Sequence, residues 1–527
     1  MSTIKENVRK KESSHIKSLT KIGIAISAEK DINKFFNLVL DEAIKYTNAD
    51  AGTIYTVSDD QKYLDFKLVC TRSKNMKLGI ADTAKWPSIP LFDENGNYRN
   101  KNFVTFVANT GQPTDIDDVY DQNVFDNSGT KTYDSNNNYR SKSMAAIPLK
   151  NHENQVLGVI QLINALTENG EIVSFSEDHI TMLTSLASQA AIALSNKKLI
   201  FGLENLLNQF IKSIASAIDR KSKYTGGHII RVATLSEMIS EKINADKVCF
   251  SNVHFTQDEL QEISVSAWMH DVGKITTPVH VRDKATKLET IFDRIELIKT
   301  RFELVKAVIE RDIAQTGNKE LEKELSEIDA FENFIEKTNI GGEFMTDEAL
   351  AYLDKICEFS YSSHNKTYKL ITENEKTNLA IKRGTLLPEE IETIREHAEI
   401  THEMLKELTY PKKLKNVPRF ASAHHEKLNG QGYPLGLDAS QLPIQARLIA
   451  IADLYEALTA SDRPYKEGKT LSASLKIMAF MAKDEEIDKD LLDLLLDSGL
   501  YMEYAKQYLK EKQIDNPNIE EIKSIYR

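Results

Sequence analysis

The sequence predicts an α+β N-terminal half with an antiparallel sheet, joined by a long helix to an all-α helical bundle. Three observations carry this reading. Strand-like segments separated by polar turns occur only before residue 176. From Glu177 to about Lys221 there is no Pro and no Gly except Gly202. From Tyr224 onward the apolar spacing is helical and nothing alternates like a strand.

In chain order, residues 1–15 are polar and read as a disordered terminus. From about Ser18 to Tyr46 apolar residues (Ile22, Ile24, Ile26, Phe35, Phe36, Val39, Leu40, Ala43) recur at helical spacing. Strand-like runs follow: AGTIYTVSDD, YLDFKLVC, SMAAIPLKN and QVLGVIQLIN, the last two flanking a hairpin connection at His152–Asn154. Residues Asp117 to Arg140, rich in Asp, Asn, Ser and Tyr, read as a long surface loop. In the long helix, Ile180, Leu183, Ala187, Ala190, Leu194, Leu199, Leu203, Leu206, Phe210, Ile214 and Ala217 step mostly by three or four, a seam suited to pairing. The small residues Ala187, Ala190, Ala191 and Ala193 would favour close packing there. Boundaries therefore fall at 16–176, 177–221 and 222–510, with a charged helical insertion at 285–380 and a tail at 511–527.

The 527 residues allow about three or four domains. With 41% apolar and 28% charged residues the mixture is that of a soluble globular protein. Formal charge is 67 − 79 = −12, which leaves no global basic field to hold a nucleic-acid polymer or an anionic membrane. Three scattered cysteines, Cys70, Cys249 and Cys357, argue against a disulfide framework or a cysteine zinc site. The first residues, MSTIKENVRKKESSHIK, lack the apolar core of a signal peptide, and the most apolar runs are too short to span a bilayer. The expectation is a cytoplasmic protein.

Nine of the twelve histidines lie after residue 220. His270-Asp271 ends an apolar helix, which sets an imidazole beside a carboxylate able to bridge two cations. His424-His425 is a second adjacent pair, His228 opens a helix, and His397 sits within one. Asp453 lies in the apolar stretch RLIAIADLYEAL, where a buried lone carboxylate is expensive unless something positive meets it. Imidazole and carboxylate donors without cysteine favour iron, manganese or zinc over calcium. Their number suits two metals sharing a carboxylate, an arrangement that activates water against phosphate esters.

In order, His228-x-x-Arg231, His270-Asp271-x-Gly273-Lys274, His424-His425-Glu426, Gly432-Tyr433-Pro434 and Asp453 resemble an HD-GYP domain, over about residues 205–284 and 380–510. The resemblance implies a phosphodiesterase acting on cyclic di-GMP to give pGpG and then GMP. His228, His270, Asp271 and Asp453 would hold one metal, and Asp271 would bridge to a second held by His397, His424 and His425. Iron or manganese is expected, with two ions rather than three. Asp271 and Lys274 would carry the chemistry, Lys274 and Arg231 meeting substrate. Tyr433 and Pro434 would shape the nucleotide pocket, and Arg463 and Lys466 would contact phosphate or guanine. Asn429 and Glu456 stand where Asp is usual, and roughly ninety residues are inserted before His397. Residues 16–197 resemble a GAF domain, a sensor whose small-molecule ligand the sequence leaves unknown. Other readings are a non-catalytic cyclic-dinucleotide receptor, or the same hydrolysis on cyclic GMP-AMP. A receptor would be expected to lose ligand residues, and here each ligand position is filled. The helix seam suggests a homodimer.

Overall fold

The structure is a computed structural model that describes residues 23–29, 31–84, 86–221, 227–342, 344–461 and 468–527. The chain divides into two compact units, residues 1–205 and 206–527. The polar terminus at 1–15 lies outside the described residues.

In the first unit the helical spacing that starts near residue 18 does not give one continuous helix. Asp31 caps a fresh helix, Ile32–Thr47, by accepting the Asn33 and Lys34 N–H groups at 2.7 and 3.0 Å. Asn48, at φ 49°, ends that helix and turns the chain into the sheet. The strands are β1 (Ala49–Val57), β2 (Tyr63–Thr71), β3 (Met76–Leu78), β4 (Ile89–Pro90), β5 (Thr114–Ile116), β6 (Met144–Lys150), β7 (Val156–Leu166) and β8 (Ile172–Val173). They form one antiparallel sheet in the order β3-β2-β1-β7-β6-β5, with β4 on β2 and β8 on β7. β1, β6 and β7 are buried along nearly their whole length.

One cluster joins Phe35, Val39 and Leu40 to Leu183, Ala187 and Ala190 at the start of the long helix. A second cluster gathers Tyr55, Phe103, Val107, Met144 and Val159. The stretch 117–140 is not all loop. Residues Ser128–Asn137 form a helix, fixed by buried Asp134, which accepts the Ser141 N–H and Oγ–H at 2.8 Å and the Tyr120 hydroxyl at 3.1 Å. Its composition carries no apolar period, so it could not be read as a helix.

The long helix runs Glu177–Lys221, as its spacing predicts. Its seam is used in three different ways. Leu183, Ala187, Ala190 and Leu194 are buried in the first unit, together with Ala191 and Ala193. The small residues are therefore spent on the intramolecular core and are not free for pairing. Leu199, Leu203, Leu206 and Phe210 are about 60% exposed, and Ile211 and Ile218 are buried in the second unit.

The second unit packs helices His228–Ala245, Gln257–Met269, Ile444–Thr459, Leu471–Lys483, Lys489–Asp497 and Leu500–Tyr508 around one core. Residues 511–527 are part of that core rather than a tail. Helix Ile519–Lys523 buries Ile522 completely, and the Tyr526 hydroxyl donates to Asp493 at 2.7 Å. Isolated apolar residues in so short a helix left no period to read.

The insertion builds its own core from helices Ile295–Thr316, Leu321–Asn339 and Asp347–Glu358, with Phe302, Ile309, Phe331, Ile335 and Ile356 at its centre. It also holds a hairpin, Ser360–Ser363 with Lys366–Lys369, so the second unit is mostly helical rather than all-α. The hairpin turns on His364 and Asn365, both at positive φ. Its strands are four polar residues each, too short to show alternation. Two buried lysines staple the insertion at its root. The Lys284 ammonium donates to both Glu390 oxygens at 2.8 and 2.9 Å and to Asn378 at 3.0 Å. The Lys287 ammonium donates to the Leu379 and Ile381 carbonyls at 2.9 and 2.7 Å.

Candidate metal centre

Each expected ligand reaches the site because a local feature delivers it. Thr256 and Glu259 form a capping box that starts helix Gln257–Met269, and His270 ends it. Asp271 then enters a tight turn, Val272–Ile275. A Cβ on Gly273 would lie 2.1 Å from the His397 carbonyl oxygen, so only glycine lets this turn press against helix Pro388–Lys406. Thr401 of that helix accepts the Gly273 N–H at 3.0 Å and donates to the His270 carbonyl at 3.1 Å. His228 follows Gly227, which sits at φ 94°, and His424 and His425 follow helix Val417–Ser422. Asp453 projects from helix Ile444–Thr459.

The side chains converge on Asp271, whose two carboxylate oxygens face two different histidine groups. Oδ2 lies 3.3 Å from both His228 Nε2 and His270 Nε2. Oδ1 lies 3.5 Å from His397 Nε2 and 3.7 Å from His424 Nε2. Asp453 Oδ1 completes the first group at 3.3 Å from His228 Nε2 and 3.9 Å from His270 Nε2. His425 completes the second, its donor within 4.8 Å of those of His397 and His424.

The imidazoles are oriented from behind. Nδ1–H of His270 donates to the Ala267 carbonyl at 2.7 Å, that of His424 to Ala421 at 2.6 Å, and that of His397 to Ile394. A carbonyl can only accept, so each Nδ1 carries the proton and each Nε2 turns a lone pair inward. His228 makes the same kind of contact with a carboxylate, its Nδ1–H donating to Glu456 at 2.5 Å. The arrangement fits a metal for a further reason: His270 Nε2 and Asp271 Oδ1 are fully buried without any hydrogen-bond partner. Orphaned buried acceptors, one in each donor group, are costly unless cations meet them.

The electrostatics agree. Burial pushes the His397, His424 and His425 imidazoles down, His425 to about 3, so all three stand neutral. Burial alone would raise the Asp271 carboxyl, but His270, Lys274 and His228 hold it well below the usual carboxylate range. Asp453 is held low against burial by His228 and His270. Burial opposes a charge on His228, yet Glu456, Asp271 and Asp453 outweigh it and raise its pKa. The carboxylates that draw a proton to His228 are those that would draw a cation in its place.

Of the other expected site residues, Lys274 places its ammonium 2.6 Å from Asp271 Oδ2. Tyr433 packs its ring 4.8 Å from that of His425, with Pro434 next to it, and the Arg395 guanidinium lies 5.6 Å from the centre of the Tyr433 ring. Arg231 bonds Glu456 at 2.6 and 2.7 Å and so stands behind His228. Arg463 and Lys466 lie outside the described residues. Asn429 closes the loop it sits in, accepting the Gln431 N–H at 3.0 Å and donating to the Asp484 carbonyl at 3.0 Å. The sequence did not assign Glu456 a role. Its signal was a second carboxylate three residues after Asp453, on the same helical face.

Fold and site together define an α+β module followed by a mostly helical domain with a cluster of His and Asp side chains that could hold metal. Residues 31–194 match the GAF domain family model, and residues 225–333 and 374–491 match two HD domain models. A probable cyclic di-GMP phosphodiesterase of Vibrio cholerae is 33% identical over 146 residues, 26% of this chain and 32% of that protein. A 3'3'-cGAMP-specific phosphodiesterase 3 of the same organism is 37% identical over 97 residues, 18% and 20% of the two chains. The cyclic di-GMP phosphodiesterase response regulator RpfG of Xanthomonas campestris is 31% identical over 126 residues, 24% and 32%. The chain thus spans about a third or less of the length of these curated relatives. A solved GAF domain from an Acinetobacter phosphoenolpyruvate-protein phosphotransferase aligns at 12% identity over 35% of this chain and 95% of that one, with a TM-score of 0.26. The chain thus matches a GAF domain model in its first half and HD domain models in its second.

Proposed function

We propose that the protein is a metal-dependent phosphodiesterase hydrolysing cyclic di-GMP to pGpG and, on a second cleavage, GMP, under control of its GAF domain. The observation that carries this reading is Asp271, whose two oxygens each face a separate group of histidine donors. We take His228, His270, Asp271 and Asp453 to hold one divalent ion and Asp271, His397, His424 and His425 a second, iron or manganese. Bound ions of this kind supply an acidified water and polarise phosphoryl oxygens.

The chain's own residues do the rest. Asp271 fixes the spacing of the two donor groups, and the backbone carbonyls of Ala267, Ile394 and Ala421 keep the Nε2 lone pairs aimed inward. Lys274 stabilises charge growing on a non-bridging oxygen. Tyr433 and Pro434 form the nucleotide wall, the family resemblance assigns Arg463 and Lys466 to phosphate or guanine, and Arg231 acts through Glu456 on His228 rather than on substrate. Cyclic GMP-AMP is the second substrate reading, favoured by the likeness to the cGAMP-specific relative.

The proposed organisation is a GAF sensor at 16–176 with an unidentified small-molecule ligand, a linker helix at 177–221 and the HD-GYP domain at 222–510 around the insertion. A homodimer through the exposed Leu199, Leu203, Leu206 and Phe210 is supported by their four-three-four spacing. Cytoplasmic residence belongs to the same proposal; among the described residues no helix is long and apolar enough to cross a membrane. Metal analysis of the purified chain, with chromatography of its products on cyclic di-GMP and cyclic GMP-AMP, tests the reading. Two metals per chain and pGpG are expected; tight binding of either nucleotide without turnover would favour a receptor.

A further inference from the structure

The last turn of the linker helix touches the two chain segments that deliver the first group of ligands. Lys221 donates its ammonium hydrogens to the carbonyl of Ile275 and, at 3.4 Å, to that of Thr277. These carbonyls lie at the C-terminal end of the turn Val272–Ile275, where backbone oxygens lack partners within the helix and a cation is favoured. The same turn begins at Asp271 and contains Lys274. Two residues earlier in the linker helix, Asp219 accepts the Gly227 N–H at 3.0 Å, immediately before His228. Ile211 and Ile218 seat this part of the helix against Val265, Met269 and Val272.

We propose that Lys221 is a positioning residue for the turn carrying Asp271 and Lys274, and so the point where the linker helix acts on the metal centre. The proposal rests on the reading of the chain as a GAF-regulated phosphodiesterase. Ile211 and Ile218 are buried, and they hold the helix whether or not Lys221 is present. Lys221 itself is exposed, so its two bonds add little to stability. They do fix where the turn's free end lies. A small rotation of the helix would carry the ammonium off these carbonyls and let the turn move against the His397 helix.

The test uses the full chain with Lys221→Met and Lys221→Arg. Lys221→Met is expected to lower kcat on cyclic di-GMP about 10- to 100-fold, the scale of a small misplacement of reacting groups. KM, metal content and Tm should stay close to the parent values, and Lys221→Arg should restore most of the rate. Hydrogen exchange read by mass spectrometry supplies a measure independent of activity. The Thr276 and Thr277 amides, which donate to Gly273 and Lys274, should exchange faster in Lys221→Met. Unchanged exchange in the turn, or equal losses of rate and metal in both variants, would overturn the proposal. A parent chain inactive on cyclic di-GMP would instead overturn the phosphodiesterase reading, while exchange in the turn still decides the role of Lys221.

Discussion

Asp271 and Lys274 sit three residues apart on one turn with different work to do, and substitution can separate them. Asp271 is buried between the two groups of histidines, so Asp271→Asn keeps the volume but removes the charge that two cations would share. It should lose metal and turnover together while its far-ultraviolet dichroism stays that of the parent. A variant that kept two metals would sink the bridging role. Lys274→Ala should keep both metals and lose about 10²- to 10³-fold in kcat, the cost of one transition-state donor. Loss of metal in that variant would make Lys274 structural. The seven candidate ligands that converge here are legible in the sequence as residue types, because adjacent His-Asp and His-His pairs in a helical domain are rare. Which atoms meet is not. The orienting carbonyls and the Glu456–Arg231 pair depend on helices distant in sequence, and no spacing encodes them.

At the scale of elements, the insertion shows what local pattern reveals and what it hides. Its long helices were readable from their period, whereas the hairpin at 360–369 and the stapled root were not. The root matters to the site because Glu390, which Lys284 grips, lies in the first turn of the helix carrying His397. The Lys284 side chain has no solvent exposure and that of Glu390 little. Removing one partner of a buried pair strands the other charge, so Lys284→Met should destabilise the second unit by about 3–5 kcal/mol. Adding Glu390→Met should recover much of this loss, since two apolar groups leave no uncompensated charge. Chemical denaturation of the four chains of the cycle measures both effects. A double variant no better than Lys284→Met would mean that the lost contact with Asn378 dominates.

For the whole molecule, the linker helix is the one element both units share in sequence, and its three zones differ in what they can transmit. Residues up to Leu194 are built into the first unit's core, and Ile211, Ile218 and Lys221 are bound in the second. Between them lie exposed Leu199, Leu203, Leu206 and Phe210, the stretch left free to pair with a second copy. A GAF ligand can alter activity only by binding one arrangement of this helix better than another, and couplings of about 1–3 kcal/mol are typical. If the signal is rotational, the angular phase of the helix sets the activity. Inserting one, two, three or four residues after Asn196 advances that phase by about 100° per residue. Turnover should fall for one and two residues and recover in part near four, where the helix completes roughly one turn. Light scattering on the same variants should report a dimer throughout. Activity indifferent to all four insertions, or a monomeric parent, would leave two independent domains on one chain and confine the role of Lys221 to static support of its turn.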